Sequence, residues 1–360
     1  MNLDKIYIGG KIMKIAKFLG NKEIDFVDVK EPSIEKDDDV KIAIQYCGIC
    51  GSDLGAYAYP PLVVPSNLSK GEPPYAQGHE FTGIVVEVGK NVTRFKVGDR
   101  VTAEPLMYCG ECEECRSGHY NVCEQITCLG YAADGAFAQY IVMDERNVHM
   151  LPSNIDFKVG TLIEPTGVGY GAVVDSGLKF QDSCVIFGAG TIGLMAMQTA
   201  NVIGAKMTIV VDVVEERLAL AKEMGATYTI NALKENCVER IKELTGRGAD
   251  VVIEAAGTQQ TFNNAIDCAK THGTIQVVAM YHQPIVIENQ VTFMGHDLTL
   301  KMSSAAYNNR FDDILRLISE GKLTPQKLIS KEIELDHLVD EGIEVLLTDK
   351  TLYKILVKCS

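Results

Sequence analysis

The chain has 360 residues, 46% hydrophobic and 23% charged, which is enough for two domains with a core each. Its 34 lysines and arginines against 48 acids give a formal net charge of -14 with no cationic cluster, which argues against a nucleic-acid partner. No apolar run approaches bilayer-spanning length and the N-terminus lacks an apolar leader core, so no membrane partner is expected and the expected address is the cytoplasm.

From residue 13 onward the first half reads as β-rich. Short β-branched segments at 40–44, 83–88 and 100–103 predict strands, with turns signalled by Gly89-Lys90-Asn91 and Val97-Gly98-Asp99. Between them stand two sparse groups of metal-ligand types, Cys47-Gly48-Ile49-Cys50-Gly51-Ser52-Asp53 and Gly78-His79-Glu80. Neither group is informative alone, because a single histidine is usually a satisfied core or surface residue and C-x-x-C can be redox-active. Glu164 raises their weight, since it interrupts the apolar Leu162-Ile163-Glu164-Pro165. A carboxylate buried there costs several kcal/mol unless it is paired or bound to metal. Cysteine, histidine and glutamate together suit Zn2+, and three protein ligands leave a fourth position open for water or substrate. That pattern points to a catalytic metal.

A second cluster lies between Glu80 and Glu164. Cys109, Cys112, Cys115 and Cys123 follow the spacing C-x2-C-x2-C-x7-C, so four thiolates can converge from one lobe, at about residues 105–125. An all-cysteine tetrahedral site is closed and predicts a structural zinc. The eleven cysteines are odd in number, which argues against a disulfide framework, and Cys184 and Cys268 read as buried free thiols.

From about residue 159 strands and helices alternate. Strands are predicted at 183–187, 207–211, 250–254 and 274–279, and helices at 191–203, 215–224 and 261–270. This is an α/β pattern with a doubly wound parallel sheet. A helix at 310–320 and a strand at 352–357 follow. Gly188-Ala189-Gly190-Thr191-Ile192-Gly193 lies between the first of these strands and its helix, the context a dinucleotide fingerprint requires. Gly188 permits the tight turn, Gly190 lets backbone approach a pyrophosphate, and Gly193 lets helix and strand pack closely. Asp212, at the end of the next strand, suits the adenosine ribose hydroxyls and favours NAD over NADP; Arg217 weakens that preference slightly. The competing reading is a glycine turn that binds no nucleotide.

On Gly48-Ile49-Cys50-Gly51-Ser52-Asp53, Gly78-His79-Glu80, the Cys109–Cys123 lobe, Glu164-Pro165 and Gly188–Gly193, the chain resembles the zinc-dependent medium-chain alcohol/polyol dehydrogenases over nearly its whole length. The resemblance implies a GroES-like β-rich catalytic domain, residues 1–165 and 304–360, and a Rossmann NAD-binding domain, residues 166–303. It implies two zinc ions per chain, one catalytic and one structural. Cys50 and His79 take the catalytic ligand positions and Cys47 does not. Glu80 or Glu164 completes the set, and both can serve. Asp53 is expected to orient His79 through its other ring nitrogen. Ser52 matches the family's hydroxyl beside the reacting alcohol. Where many members continue the proton path through a histidine three residues on, this chain has Gly55, which leaves ordered water, the cofactor ribose or a group such as Tyr57.

The implied activity is hydride transfer between a secondary alcohol or its ketone and NAD, by a homodimer or homotetramer. The glutamate ligand and the long 50–79 segment resemble 2,3-butanediol (acetoin) dehydrogenases, with sorbitol-type and threonine-type enzymes as alternatives. A zinc-stabilised nucleotide-binding structural or sensing protein without turnover is the reading from another class, and Gly55 favours it. A zinc-free quinone reductase would not need Cys50, His79 and Glu164 together.

Overall fold

A computed structural model describes residues 11–59, 75–281, 283–302, 305 and 307–360. The long insertion noted between Cys50 and His79 falls largely on residues 60–74, outside the described residues. The chain divides into two compact units, one up to Glu164 together with Ile329–Ser360, the other Pro165–Leu328.

Among the described residues, the first unit is built on a seven-stranded sheet. Its order is Ile329–Glu334, Lys354–Lys358, Asp39–Gly48, Glu80–Val88, Arg100–Ala103 and Val148–Met150, with Tyr140–Asp144 also paired to Asp39–Gly48. The last strand of the chain lies antiparallel to Asp39–Gly48, so residues from both ends of the sequence form one sheet. Ile42, Ile44, Phe81, Val85, Val101, Phe137, Ile355 and Val357 share its core. Burying their apolar area is the main stabilising term for the unit.

The cysteine lobe projects from this sheet on a short helix, Glu113–Arg116, and a 3-10 turn, Tyr120–Val122. Its root is polar yet buried. Tyr120 donates to Glu104 Oε2 at 2.6 Å, Glu104 Oε1 lies 2.9 Å from His149 Nε2, and Asn147 donates to the Leu106 carbonyl at 2.6 Å.

The second unit holds a six-stranded parallel sheet. Ser183–Phe187 is central, flanked by Met207–Asp212 then Tyr228–Asn231 on one side, and by Ala249–Glu254, Ala269–Val277 and Thr299–Met302 on the other. Numbered along the chain, the order is 3-2-1-4-5-6, the doubly wound arrangement of dinucleotide-binding folds. The second crossing between units falls at Leu328/Ile329, where 303/304 was expected. The helix Phe311–Ser319 explains the shift: it buries Phe311, Ile314, Leu315, Leu317 and Ile318. Downstream, the Thr324 N–H donates to Gln198 Oε1 at 2.8 Å, holding this segment within the second unit. The predicted helix at 261–270 also moves, to Gln259–Cys268, because Thr258 caps it and Ala269 opens the next strand.

Candidate active site

Strand Asp39–Gly48 leads into Cys50, which precedes the helix Gly51–Ala58, while His79 stands directly before the strand Glu80–Val88. Gly48 is paired with Glu80, and a Cβ at position 48 would strike the Glu80 carboxylate, so this approach needs glycine. One ligand atom each from Cys50, His79 and Glu80 lies within 4.8 Å of the others. Asp53 ties the two ligand-bearing turns together: its Oδ2 accepts from the Cys50 N–H at 2.8 Å and its Oδ1 from the Gly78 N–H at 3.3 Å. This corrects the expected role, because Asp53 holds backbone here, and the buried His79 ring nitrogen Nδ1 has no hydrogen-bond partner among the described residues.

Glu80 Oε2 and Ser52 Oγ are likewise buried and, among the described residues, unpartnered. A buried polar atom left unpaired costs about 1–3 kcal/mol. Unpaired atoms on His79, Glu80 and Ser52, beside the converging ligand group of Cys50, His79 and Glu80, fit a site completed by a cation and its ligand, and the donor set is the one Zn2+ prefers. His79 is held well above its ordinary pKa: burial disfavours its charge, but Cys50, Asp53 and Glu164 outweigh that.

Glu80 has a second tie that inspection of the sequence missed. Its Oε1 is paired with the ammonium of Lys354, which also donates to the Ile49 carbonyl at 3.1 Å. Burial opposes the lysine's charge, yet Glu80 and Cys50 keep it protonated well above its usual range. A sequence signal existed, since Lys354 lies inside the apolar 352–357 run and a lysine buried there requires an acid. Glu164, in the first turn of the helix Ile163–Ser176, is buried and interacts electrostatically with His79, Glu80 and Lys354, but stands outside the three converging ligands. Burial pushes its carboxyl up to about 8, against the pull of His79.

Two more residues surround the centre unpredicted. Burial pushes the Cys128 thiol up to about 12, and its charge would be felt by His79, Glu164 and Cys50. The Tyr131 ring lies 6.4 Å from the His79 ring, and its phenol, pushed up to about 12 by burial, interacts with the Ser52 side chain. Tyr57, considered above as a proton route, is committed elsewhere: its hydroxyl donates to Glu344 Oε1 at 2.8 Å. No atom of the described residues lies within 4 Å of where a Gly55 side chain would start.

The four lobe cysteines converge as their spacing predicts, all ligand atoms lying within 4.8 Å. Sulfur separations include 3.5 Å for Cys109–Cys123 and 3.9 Å for Cys112–Cys123 and Cys109–Cys115. These are far too long for a disulfide and close to the roughly 3.8 Å edge of a tetrahedron with ~2.3 Å zinc–sulfur bonds. Backbone N–H groups of Glu111 and Cys112 point at Cys109 Sγ, each at 3.4 Å, as thiolate character demands.

In the second unit, Gly188 has a φ of +99°, and a Cβ on Gly193 would overlap the Gly188 carbonyl. Above Gly190, at the start of the helix Thr191–Ile203, a Cβ would meet nothing within 4 Å, which leaves room for a close-approaching ligand. Thr191 and Ile192 form the first turn of that helix. Asp212 sits at the adjacent strand end, its Oδ2 accepting from the Ala189 N–H at 2.7 Å. Its Oδ1 accepts from Val213 and Val214 at 2.7 and 3.0 Å. Arg217 lies one turn into the following helix, Glu215–Glu223.

Among known proteins, residues 36–153 match the family model of the alcohol dehydrogenase GroES-like domain, and residues 191–320 that of zinc-binding dehydrogenases. The (R,R)-butanediol dehydrogenase of Bacillus subtilis (strain 168) is 34% identical over 355 residues, covering 96% of this chain and 99% of that one. Sorbitol dehydrogenase of the same strain is 32% identical, with 96% and 97% covered. The crystal structure of 2R,3R-butanediol dehydrogenase from Bacillus subtilis is similar with a TM-score of 0.88 at 34% identity, over 97% of this chain and 100% of the other.

Proposed function

The chain belongs to the zinc-dependent medium-chain alcohol and polyol dehydrogenases, oxidoreductases that use zinc and NAD(P), and from that membership we propose that it oxidises a secondary alcohol of a diol or polyol with NAD. The first-choice substrate pair is 2,3-butanediol and acetoin. The observation that carries this reading is the convergence of Cys50, His79 and Glu80 around buried, unpaired polar atoms. Relatives named for butanediol and sorbitol support the substrate class. An acid among the ligands points the same way, making the centre harder than a second cysteine thiolate would.

Cys50, His79 and Glu80 would hold the catalytic ion, with Glu164 the acid in reserve; Cys109, Cys112, Cys115 and Cys123 would hold the structural one. When bound, the catalytic zinc supplies Lewis acidity that lets a substrate hydroxyl give up its proton near neutral pH. Asp53 keeps both ligand-bearing turns in place, so little reorganisation is left to the moment of reaction. Lys354 holds one Glu80 oxygen and supplies its counter-charge. Ser52 offers an otherwise unpaired hydroxyl to the reacting oxygen. In the net reaction a hydride passes from the carbinol carbon to the nicotinamide of NAD, and the hydroxyl proton goes to solvent, leaving a ketone. On the cofactor side, Gly188, Gly190 and Gly193 would admit the pyrophosphate and Asp212 the adenosine ribose, which favours NAD. The working form is a homodimer or homotetramer, a point for light scattering on the purified protein.

The test is NADH formation by zinc-loaded protein across the 2,3-butanediol stereoisomers, sorbitol, xylitol and threonine. Highest catalytic efficiency with a butanediol isomer is expected. A sorbitol or threonine preference would replace the substrate, and no turnover with any of them would overturn the reading.

A further inference from the structure

Tyr131 sits on a turn that is clamped from three sides. Leu129 N–H donates to the Pro105 carbonyl at 3.1 Å, Gly130 N–H to the Ala133 carbonyl at 2.8 Å, and Tyr131 N–H to the Cys128 carbonyl at 3.1 Å. The Gln77 side-chain amide donates to the Gly130 carbonyl, and Gly130, at φ +84°, packs so closely on Gln77 that a Cβ there would crowd it. The turn is thereby fastened to the Gln77-Gly78-His79 segment that carries the histidine ligand. Its one large polar side chain, Tyr131, has its ring centre 6.4 Å from that of His79, tilted by 43°, and its phenol is close enough to interact with Ser52. Ser52 Oγ in turn is buried with no partner in hydrogen-bonding geometry among the described residues. Two hydroxyl-bearing residues on rigid supports therefore stand beside Cys50 and His79, and Gly55 contributes no side chain.

We propose that this pair reads a vicinal diol, Ser52 meeting the reacting oxygen and the Tyr131 hydroxyl bonding the oxygen on the neighbouring carbon. The inference rests on the diol-dehydrogenase reading above and adds a specificity-determining residue to it. A phenol both donates and accepts, so it can match a hydroxyl in either orientation. A monoalcohol presents carbon and hydrogen at that point and leaves the phenol unpaired, which a site built around hydrogen bonding penalises. The ring beneath the hydroxyl has two side-chain torsions and is held by its contact with His79, so little entropy is lost in making the bond.

The experiment compares wild type with Tyr131→Phe, both zinc-loaded, using NAD with 2,3-butanediol and with 2-butanol. Zinc content, and the rise in Tm that each alcohol gives in the presence of NADH, are read alongside the kinetics. The expected result is a fall of at least about tenfold in the diol-to-monoalcohol ratio of kcat/KM, carried mainly by a higher KM for the diol. Zinc content should stay the same, and the diol-specific rise in Tm should disappear. A ratio unchanged within about twofold, or an equal loss with both alcohols, overturns the assignment. Wild-type protein that neither binds nor oxidises any diol overturns this inference together with the reading beneath it, whereas a diol-active wild type with an indifferent Tyr131→Phe variant overturns this one alone.

Discussion

Lys354, the first residue of the last strand, places its ammonium on Glu80, the first residue of the strand after His79, across 274 positions of sequence. Both side chains are buried, at 4% and 0% exposure. One Glu80 oxygen is committed to the lysine, and the other is buried with no partner among the described residues, which leaves it the oxygen available to a metal. Replacing Lys354 with methionine removes the counter-charge and leaves a buried anion, a loss of about 3–5 kcal/mol. The double variant Glu80→Gln/Lys354→Met should recover most of it, since no charge is then stranded. Urea unfolding of wild type and the two variants measures both steps; a Lys354→Met protein as stable as wild type would mean that the Glu80–Lys354 pair does not hold the fold together.

The ligand assignment is tested by stoichiometry as well as rate. Cys50→Ala and His79→Ala should each lower kcat by roughly a thousandfold or more, the several kcal/mol a Lewis acid contributes. Elemental analysis should fall from two zinc ions per chain to one. NAD affinity should be unchanged, because the glycine turn belongs to a different unit. One ion per chain in active wild type, held by the lobe alone, would refute a catalytic metal.

The lobe's stability should depend on its buried root as well as on its metal. Tyr120→Phe deletes the hydroxyl that donates to Glu104 at 2.6 Å and leaves a carboxylate oxygen short of a partner inside the protein. A charge-assisted hydrogen bond of this kind is worth about 1.5–3 kcal/mol. The expected outcome is a lower Tm with catalytic zinc retained, and faster loss of structural zinc to a chelator. Cys112→Ser should lose that zinc outright.

Periodicity carried the second unit well. Ser183–Phe187 and Thr191–Ile203 appear where their apolar runs and flanking glycines indicated. Strands with weak local patterns were invisible: Glu23–Lys30 and Ile329–Glu334 are largely exposed, and pairing with a neighbour decides them. The domain crossing was misjudged because the face of Phe311–Ser319 is apolar whichever unit it packs on. At the candidate site, the meeting of Cys50 with His79 was legible because ligand chemistry restricts residue type, whereas the choice between Glu80 and Glu164 was open. Lys354, Cys128 and Tyr131 were not legible, since what matters about them is proximity across long sequence separations, and one sequence contains no measure of that.

Thiol chemistry gives a pH-resolved test of the lobe in metal-stripped protein. Backbone N–H groups, that of Glu111 foremost, hold Cys109 down to about 6, whereas burial pushes Cys115 up to about 12. The thiolate is the reactive form and its fraction rises with pH. After chelation, Cys109 should be alkylated first, its rate climbing through about pH 6 and then levelling, while Cys115 lags. Cys128, Cys184 and Cys359, each pushed up to about 12 by burial, should stay unmodified at neutral pH while the protein remains folded. Pulsed alkylation with peptide mass spectrometry reads every site; equal rates at Cys109 and Cys115 would contradict the geometry, and zinc should protect all four ligands.

Cofactor choice should turn on Asp212. Its carboxylate caps the glycine turn through the Ala189 N–H at 2.7 Å, so the charge is fixed at the end of the strand Met207–Asp212 and cannot swing away from a ribose 2′ substituent. A 2′-phosphate brought there meets a like charge whose position two further backbone N–H groups help to hold. Asp212→Ser removes the charge and keeps a short acceptor for the turn, while Arg217 remains one helical turn away as a cation for the phosphate. The ratio of kcat/KM for NAD over NADP should fall by about tenfold or more, through loss with NAD and gain with NADP. Because the ratio is taken within one protein, the stability lost with the three backbone hydrogen bonds cancels from it. A ratio equal to that of wild type would mean that neither the charge nor its placement selects the cofactor, and that the preference originates elsewhere on the turn.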